Sequence, residues 1–297
     1  MAVVTIGFFD GVHLGHVGVL NALKESSSDG REASVVTFWP HPRVVLQQDA
    51  MQFHLLTSMD EKRQLIVQKG ISDFRVMEFT KDFASMTAEM FLRRHIIDRM
   101  GCDTLVLGYD NRMGSDSLPT SQVALLGEKL GLKVIVVPPY ELDGVRVSST
   151  VIRNCLMAGD VQRANSMLGY SYKIDGTVVM GNQIGRTLGF PTANMRPGFP
   201  LKLIPANGVY LTEAKVNGKV YNAMTNVGIR PTIARSTERI IETNIFDFDE
   251  DIYGMEMEVK FLKRIREERC FPGLSELKKQ LALDSEACRE ELRKIKN

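Results

Sequence analysis

The stretch VVTIGFFDGVHLGH, residues 3–16, decides the fold of the first half of the chain. Its first four residues, Val3–Ile6, are β-branched and predict a buried strand. Apolar residues at helical spacing follow over His16–Lys24. Gly7 and Gly11 allow a tight turn between the two elements and a close approach of the backbone to a ligand. A strand, a glycine turn and a helix in this order predict the first unit of a parallel sheet with a ligand at the turn.

Strands and helices alternate through the rest of the first half. Further strands are predicted at Ser34–Phe38, Phe74–Met77, Thr104–Leu107 and Lys133–Val137. Helices are predicted at Asp60–Lys69, Thr87–Arg99, Ser121–Leu130, Thr150–Met157 and Val161–Leu168, the last capped by Gly169. Strands separated by segments of helix length predict a doubly wound α/β parallel sheet, with ligands at the carboxyl ends of its strands.

The pattern changes after Tyr170. Strand-like runs follow one another at Ile174–Val179, Gly208–Val216, Tyr221–Val227, Glu238–Phe248 and Met255–Leu262. Asn217-Gly218 is the type I′ hairpin signal between two of them. This spacing predicts an antiparallel β-barrel or sandwich, closed by one or two C-terminal helices over Leu274–Lys296. We therefore expect two domains, 1–169 and 170–297.

Bulk composition narrows the class of protein. The 297 residues include 37 basic and 36 acidic side chains, a formal net charge of +1. Such a balance argues against a nucleic-acid-binding surface or an anionic-membrane surface. The four cysteines are scattered without a metal-binding or disulfide spacing. With no apolar run near the ~18 residues of a membrane span, we expect a cytoplasmic protein without nucleic-acid or membrane partners.

His13 and His16 are the first candidate catalytic residues. Three positions apart, both are expected on one side of the first helical turn. Helix N-termini favour anions, and two imidazole donors add hydrogen bonds where a phosphoryl transition state gathers charge. The pattern therefore predicts attack on the α-phosphorus of ATP, with Gly7 and Gly11 beside the phosphates. A metal pair or two surface histidines are the alternatives.

Three later segments support a phosphate site. His41 follows a strand and is a candidate third donor, although a turn histidine is the alternative. Asp110 lies in GYDNRMG (residues 108–114), directly after a strand of the sheet. In RVSSTVIR (residues 146–153), Ser149 and Arg153 lie at a predicted helix start, where anions bind readily. An ordinary N-cap with solvated arginines is the alternative for this last segment.

The chain resembles the bifunctional bacterial riboflavin kinase/FAD synthetase family. The matching segments are GFFDGVHLGH (7–16), HPR (41–43), GYDNRMG (108–114), RVSSTVIR (146–153), GRTLGFPTAN (185–194), NVGIRPT (226–232), ETNIFDF (242–248) and RIREERCF (264–271). The resemblance implies that the second domain phosphorylates riboflavin to FMN. It implies that the first domain, a nucleotidyltransferase, adenylylates FMN to FAD and releases pyrophosphate. ATP, riboflavin and FMN are then the small-molecule partners of a monomer or weak homo-oligomer.

The resemblance also assigns residues. In the first domain it implies ATP or phosphate contacts from Gly7, Asp10, Gly11, His13, His16, His41, Asp110, Arg146, Ser149 and Arg153. In the second it implies ATP or flavin contacts from Gly181, Gly185, Arg186, Asn226 and Arg266. The family usually has aromatic residues where Asn111 and Met113 stand. This departure leaves one alternative, a riboflavin kinase whose first domain is a weak or inactive nucleotide-binding regulatory module.

FPTAN (190–194) has a chemical meaning of its own. In an extended segment Thr192 and Asn194 face the same side, and their hydroxyl and amide oxygens suit Mg²⁺ bound with ATP phosphates. The preceding loop, 181–186, is rich in donors and glycine and is expected to wrap phosphates. An ordinary barrel turn is the alternative. The segment therefore predicts Mg²⁺ as the metal cofactor.

Glu242 is the candidate catalytic base. In an extended 240–248 it shares a face with Asn244, Phe246 and Phe248, and a carboxylate among apolar groups is costly unless paired or working. An ion pair with Arg239 is the alternative. Arg264 and Arg266 are expected to close over flavin or to be solvated. The acidic run 247–251 is interpreted as a solvated turn.

Overall fold

A computed structural model describes residues 1–46, 54–181, 184–231 and 237–296 of the chain. These residues form two compact units, 1–149 and 150–297. The first contains a five-stranded parallel sheet with helices, and the second a closed six-stranded antiparallel barrel followed by a long helix. The predicted fold class is therefore confirmed. Within those ranges, no helix is long and apolar enough to cross a membrane.

The parallel sheet of the first unit has the order β3-β2-β1-β4-β7. Its strands are β1 (Ala2–Ile6), β2 (Glu32–Trp39), β3 (Asp73–Glu78), β4 (Cys102–Gly108) and β7 (Lys133–Val137). Two short ribbons pair β5 (Arg112–Met113) with β6 (Leu118–Pro119), and β8 (Glu141–Leu142) with β9 (Val145–Arg146). The strand order reverses at β1, so the carboxyl ends of β1 and β4 form the switch point where such sheets bind ligands.

Six labelled helices surround this sheet. They are α1 (Leu14–Ser26), α2 (Pro42–Leu46), α3 (Met59–Gln68), α4 (Lys81–Ala84), α5 (Ala88–Phe91) and α6 (Thr120–Lys129). β1 is buried along its whole length, and alternate residues face opposite sides of the sheet. Val3 packs in one core cluster with α1 and α3, whereas Val4 packs in the other with α5 and α6. Helices on both faces explain why the strands read as continuous apolar runs.

The predicted helix Thr87–Arg99 is not a single α-helix. Thr87 caps α5 by accepting a hydrogen bond from the backbone N–H of Met90. The chain then continues as a π-helical segment, Leu92–Ile97. Periodicity alone does not reveal the change, because Leu92 and Ile96 stay buried on the same side.

The second unit begins with two helices and continues as the barrel. The helices are α7 (Ser149–Ala158) and α8 (Val161–Leu168), and Gly169 ends α8 in the left-handed conformation with φ 76°. The barrel order is β10-β11-β14-β13-β12-β15. Its elements are β10 (Lys173–Val179), α9 (Ile184–Thr187), β11 (Ala193–Pro197), β12 (Gly208–Val216), β13 (Lys219–Pro231), β14 (Thr237–Ile245) and β15 (Glu256–Glu267). The final helix is α10 (Leu274–Lys296). Asn217 and Gly218 both have positive φ, 50° and 77°, as the predicted type I′ turn requires.

The helical connector packs within the second unit. The Asn165 amide donates to the carbonyl of Phe261 at 2.8 Å and accepts from the N–H of Tyr172 at 2.7 Å. The N–H of Ala206 donates to the carbonyl of Leu156 at 2.9 Å. α7 and α8 are thus tied to the barrel by hydrogen bonds. The domain limits 1–169 and 170–297 stay a prediction.

The strand predicted over Glu238–Phe248 ends earlier, at Ile245. Phe246 is buried instead in the cluster beneath α10, with Val209 and Cys288. Asp247 has φ 56°, which turns the chain away from the strand. The prediction that Phe246 and Phe248 share the strand face of Glu242 is therefore wrong.

Candidate active sites

The two histidines lie at the first turn of α1, at the carboxyl edge of β1. His13 is the N-cap, and its Nδ1 accepts the N–H of His16 at 3.3 Å. The cap leaves the ring proton of His13 on Nε2. The two rings are stacked, with centroids 3.7 Å apart and planes 16° apart. Both imidazoles therefore stand at the positive end of the helix, as the spacing predicts.

His16 is held as a neutral ring. Burial first, the His13 ring second and the charge of Lys62 third lower the pKa of His16 well below its usual value. In the part of the chain that the structure describes, its Nδ1 is buried without a hydrogen-bond partner. A buried polar atom of this kind is rare in folded proteins and needs an explanation. An anionic ligand at this position both supplies a partner and favours the protonated ring.

Asp10 is buried and braces the loop between β1 and α1. Its carboxylate accepts the N–H groups of Leu56 and Thr57 at 3.0 and 3.1 Å. The N–H of Gly11 donates to Thr57 Oγ1 at 3.1 Å, and Gly11 has φ 82°. These bonds connect the glycine turn to the segment that leads into α3. Asp10 thus holds the turn in place, and a direct contact with ATP stays a prediction.

A cavity of about 690 Å³ opens beside these residues. Four of the predicted ATP-site side chains or backbones line it: Gly7, Asp10, His16 and Asp110. Ser149 also lines it and donates from Oγ to the carbonyl of Asp10 at 2.8 Å. The rest of the wall is mainly apolar and includes Phe8, Phe38, Phe79, Phe83, Met86 and Phe91. The cavity therefore joins a phosphate-type helix start to an aromatic chamber suited to a planar ring.

The aromatic chamber is the part of this site that the sequence did not reveal. Phe38 contacts Phe79, Phe83 and Phe91, with ring centroids 6.2, 5.6 and 6.0 Å apart. Each of these residues belongs to a different element and reads in sequence as an ordinary core residue. Only the tertiary structure brings them to one wall.

The two departures from the family pattern both line this cavity. The Asn111 amide donates to the carbonyl of Ile6 at 2.7 Å, at the end of β1. Met113 is buried, with 5% of its surface exposed. A cavity of substrate size is present with these residues in place.

The remaining predicted residues of the first site are more loosely placed. The His41 ring packs on Phe8, with centroids 4.7 Å apart, and its Nδ1 accepts the N–H of Arg43. Arg146 is exposed, lies over the ring of Tyr109 and forms a 3.7 Å ion pair with Glu141. Arg153 lies on α7, one turn beyond Ser149, and is half-buried. Phosphate contacts from all three stay predictions.

Strand register brings the predicted residues of the barrel into one lateral row. Asn194 on β11 lies opposite Glu242 on β14, which in turn lies opposite Asn226 on β13. Asn226 is opposite Val209, and Val209 is opposite Arg266. Neighbouring strands are about 5 Å apart, so Asn194, Glu242 and Asn226 are within reach of one small ligand.

The glycine loop lies directly on Asn194 and Thr192. A methyl group at position 181 would overlap the side-chain amide of Asn194. A methyl group at position 185 would overlap the carbonyl oxygen of Phe190 and stand 3.4 Å from Thr192 Oγ1. Gly181 and Gly185 are therefore required for the loop to cross the Thr-x-Asn segment. Asn182 and Gln183, which complete the predicted loop, are outside the described residues.

Glu242 is half-buried in the middle of the row. Its predicted alternative partner, Arg239, instead donates to the carbonyls of Ile204 and Pro205 and to Asn207 Oδ1. Among the described residues, Arg239 forms no ion pair with Glu242. The register places two amides, and not a cation, beside this carboxylate.

Arg266 is engaged within the protein. Its Nε and Nη2 donate to the buried carboxylate of Asp284 at 2.8 and 2.7 Å, and its Nη1 donates to the carbonyl of Glu267. This bidentate pair anchors α10 to β15. The arrangement explains the position of Arg266 without a ligand, and its contact with ATP or flavin stays a prediction.

A second cavity, of about 380 Å³, lies in the barrel unit. Thr192 and Arg186 line it together with Thr243, whose side chain points to the opposite face of β14 from Glu242. Its remaining wall includes Asp249, Glu250, Asp251 and Tyr253. The interpretation of 247–251 as merely a solvated turn is therefore wrong, because three of its residues border a cavity next to Thr192.

Comparisons with known proteins match both units. The FAD synthetase family model matches residues 1–151, and the riboflavin kinase family model matches residues 168–292. A bifunctional riboflavin kinase/FMN adenylyltransferase of Bacillus subtilis is 37% identical and covers 96% of this chain and 90% of its own length. One from Escherichia coli K12 is 34% identical, covering 97% and 92%. The crystal structure of a protein named macrolide-efflux protein, from Streptococcus pneumoniae, matches with TM-score 0.90 and 33% identity over 97% of this chain and 93% of its own.

Proposed function

This chain belongs to the family of bifunctional riboflavin kinase/FMN adenylyltransferases, and we propose how its two transferase reactions are divided. The barrel unit phosphorylates riboflavin to FMN with ATP. The first unit then transfers the adenylyl group of a second ATP to FMN, forming FAD and pyrophosphate. The observation that supports this division is the pair of stacked imidazoles opening onto an aromatic cavity in one unit, and the Asn194–Glu242–Asn226 row in the other.

In the first unit the flavin ring occupies the aromatic chamber. Its phosphate then points toward the start of α1, where His13 and His16 donate to the phosphates of ATP. Ser149, bonded to the carbonyl of Asp10, and the exposed Asp110 complete the polar wall. Positioning and electrostatic stabilisation suffice for this reaction, since no covalent enzyme intermediate is needed.

In the barrel unit Glu242 takes the proton from the riboflavin hydroxyl that attacks the γ-phosphorus of ATP. Asn226 and Asn194, on its two sides, orient the carboxylate and the substrate. The nucleotide occupies the cavity lined by Thr192 and Arg186, so that its phosphates lie under the glycine loop. A carboxylate held between amides is a suitable general base for a hydroxyl.

Mg²⁺ is the metal that the barrel site fits. Thr192 and Asn194 offer one hydroxyl and one amide oxygen beneath the loop, and these hard ligands suit an ion that takes its other oxygens from phosphates and water. In the described residues there is no cluster of three His, Cys, Asp or Glu side chains that suits a metal bound by protein alone. When bound, Mg²⁺ neutralises charge on the transferred phosphate.

The experiment that tests the proposal is one incubation of the full-length protein with riboflavin and Mg-ATP. Chromatography of samples taken over time should show FMN appearing first and FAD accumulating at its expense. Omitting Mg²⁺ should stop both steps. Accumulation of FMN with no FAD from added FMN and ATP would contradict the adenylyltransferase half.

Gly181→Ala should impair the kinase alone. Because the added methyl group displaces the amide of Asn194, the proposed metal ligand shifts, and a shift of about 1 Å costs roughly 100-fold in rate. Gly198→Ala is the matched control, since its methyl group would meet only the Asp175 carbonyl, at 3.7 Å. Initial rates of FMN formation should fall in the first variant and not in the second. A wild-type rate in Gly181→Ala would remove Asn194 from the metal site.

Further parts of the proposal concern the protein as a whole. We place it in the cytoplasm with ATP, riboflavin and FMN as partners and with no nucleic-acid or membrane partner, in keeping with its net charge of +1. We also propose a monomer or weak homo-oligomer. Light scattering over a range of protein concentrations measures the oligomeric state.

A further inference from the structure

Lys62 is a buried cation at the ligand edge of the first unit. It lies in the first turns of α3 and only 6% of its surface is exposed. Because α3 follows β2 and leads into β3, its N-terminal end lies at the carboxyl edge of the parallel sheet. α3 also packs beside α1, since Ile66 shares a core cluster with Leu20 and Leu23. Lys62 is therefore on the same side and at the same edge of the sheet as the two histidines.

This ammonium group has no protein partner that accounts for its burial. Within the described ranges, Lys62 Nζ forms neither a hydrogen bond nor an ion pair. Asp10 is the nearby carboxylate, but it accepts hydrogen bonds from Leu56 N–H, Thr57 N–H and Thr57 Oγ1. Asp10 is thus stabilised without Lys62. Burying an unpaired charge is costly, so a cation kept in this position needs a reason other than stability.

The electrostatics of the site point the same way. Burial lowers the pKa of Lys62 to about 8, against the opposing influence of Asp10. The same ammonium charge contributes to the low pKa of His16. Two basic groups are thus held where positive charge is disfavoured in the free protein. A polyanion that binds between them reverses this, and the gain strengthens its binding.

We propose that Lys62 is a further catalytic residue of the first unit, whose ammonium group binds the polyphosphate of ATP and stabilises the departing pyrophosphate. The inference rests on the proposed assignment of adenylyl transfer to this unit. In that step a phosphate oxygen of FMN forms a bond to the α-phosphorus of ATP. The bond from the α-phosphorus to the bridging oxygen breaks, and its electrons leave on pyrophosphate. Lys62 neutralises that charge, while His13 and His16 act at the α-phosphate.

Lys62→Met in the full-length protein tests the proposal, with Lys69→Met as the matched control. Lys69 ends the same helix and is exposed. For FAD formation, kcat/KM for ATP should fall by about 100-fold in Lys62→Met, the usual loss for one transition-state donor. The KM for FMN and the rate of riboflavin phosphorylation should be unchanged. Lys69→Met should behave as the wild type.

Thermal unfolding separates catalysis from structure. Methionine matches the lysine stem without its charge, so Lys62→Met should melt at a higher temperature than the wild type while losing adenylylation. A lower melting temperature together with an unchanged KM for ATP would show a structural lysine and overturn the proposal. So would wild-type kcat and KM for ATP, and so would a rise confined to the KM for FMN. If the wild type itself makes no FAD, the proposed function fails, whereas FAD formation that survives only the Lys62 substitution defeats this inference alone.

Discussion

His16→Ala should convert the protein into a riboflavin kinase that stops at FMN. Loss of one preorganised donor to the transition state lowers FAD formation by roughly 100- to 1000-fold. The fold should survive, because His16 Nδ1 is buried without a partner in the described structure and the substitution breaks no side-chain hydrogen bond there. His13 is a poorer position for this test, since its ring also caps α1.

The measurement is FAD formation from FMN and Mg-ATP, with riboflavin phosphorylation by the same sample as the internal control. A second readout follows from the pKa of His16. Because the folded protein holds this pKa below that of the unfolded chain, the unfolded state binds more protons as the pH falls through about 6.5. The wild type should therefore lose stability with falling pH in that range, and His16→Ala should lose less. FAD formation at the wild-type rate would remove His16 from the reaction.

Glu242→Gln should abolish riboflavin phosphorylation and leave adenylyl transfer intact. A general base contributes about 100- to 10,000-fold, and glutamine keeps the shape of the side chain without its basicity. The two neighbouring amides, Asn194 and Asn226, retain a polar partner, so the barrel should stay folded.

Glu213→Gln is the matched control for this substitution. Glu213 is also a half-buried strand glutamate, on β12, and it too lies opposite an asparagine, Asn222. Rates of FMN formation should collapse in the first variant and be unchanged in the second. Equal rates in the two variants would mean that the carboxylate of Glu242 has a structural role only.

Local features of both sites could be predicted from the sequence. The strand, glycine turn and helix order placed His13 and His16 at the start of α1, because helix spacing and glycine geometry are local properties. Gly169 as a helix cap and Asn217-Gly218 as a hairpin turn are predictable for the same reason. Each depends on backbone conformation within a few residues.

Features that depend on long-range packing could not be predicted. The row of Asn194, Glu242 and Asn226 arises from the register of three strands distant in sequence. The aromatic chamber is assembled from separate elements, and Lys62 reads in sequence as the solvated face of an amphipathic helix. Its burial appears only when α3 packs beside α1. The end of β14 at Ile245 is also set by tertiary packing, since Phe246 is drawn beneath α10.

The central claim is that two separate active sites divide the two reactions. The most direct measurement mixes His16→Ala and Glu242→Gln proteins in equal amounts with riboflavin and Mg-ATP and follows FAD. Neither variant alone should make FAD from riboflavin, whereas the mixture should, because FMN released by the first is adenylylated by the second. FAD made from riboflavin by either variant alone would contradict the account.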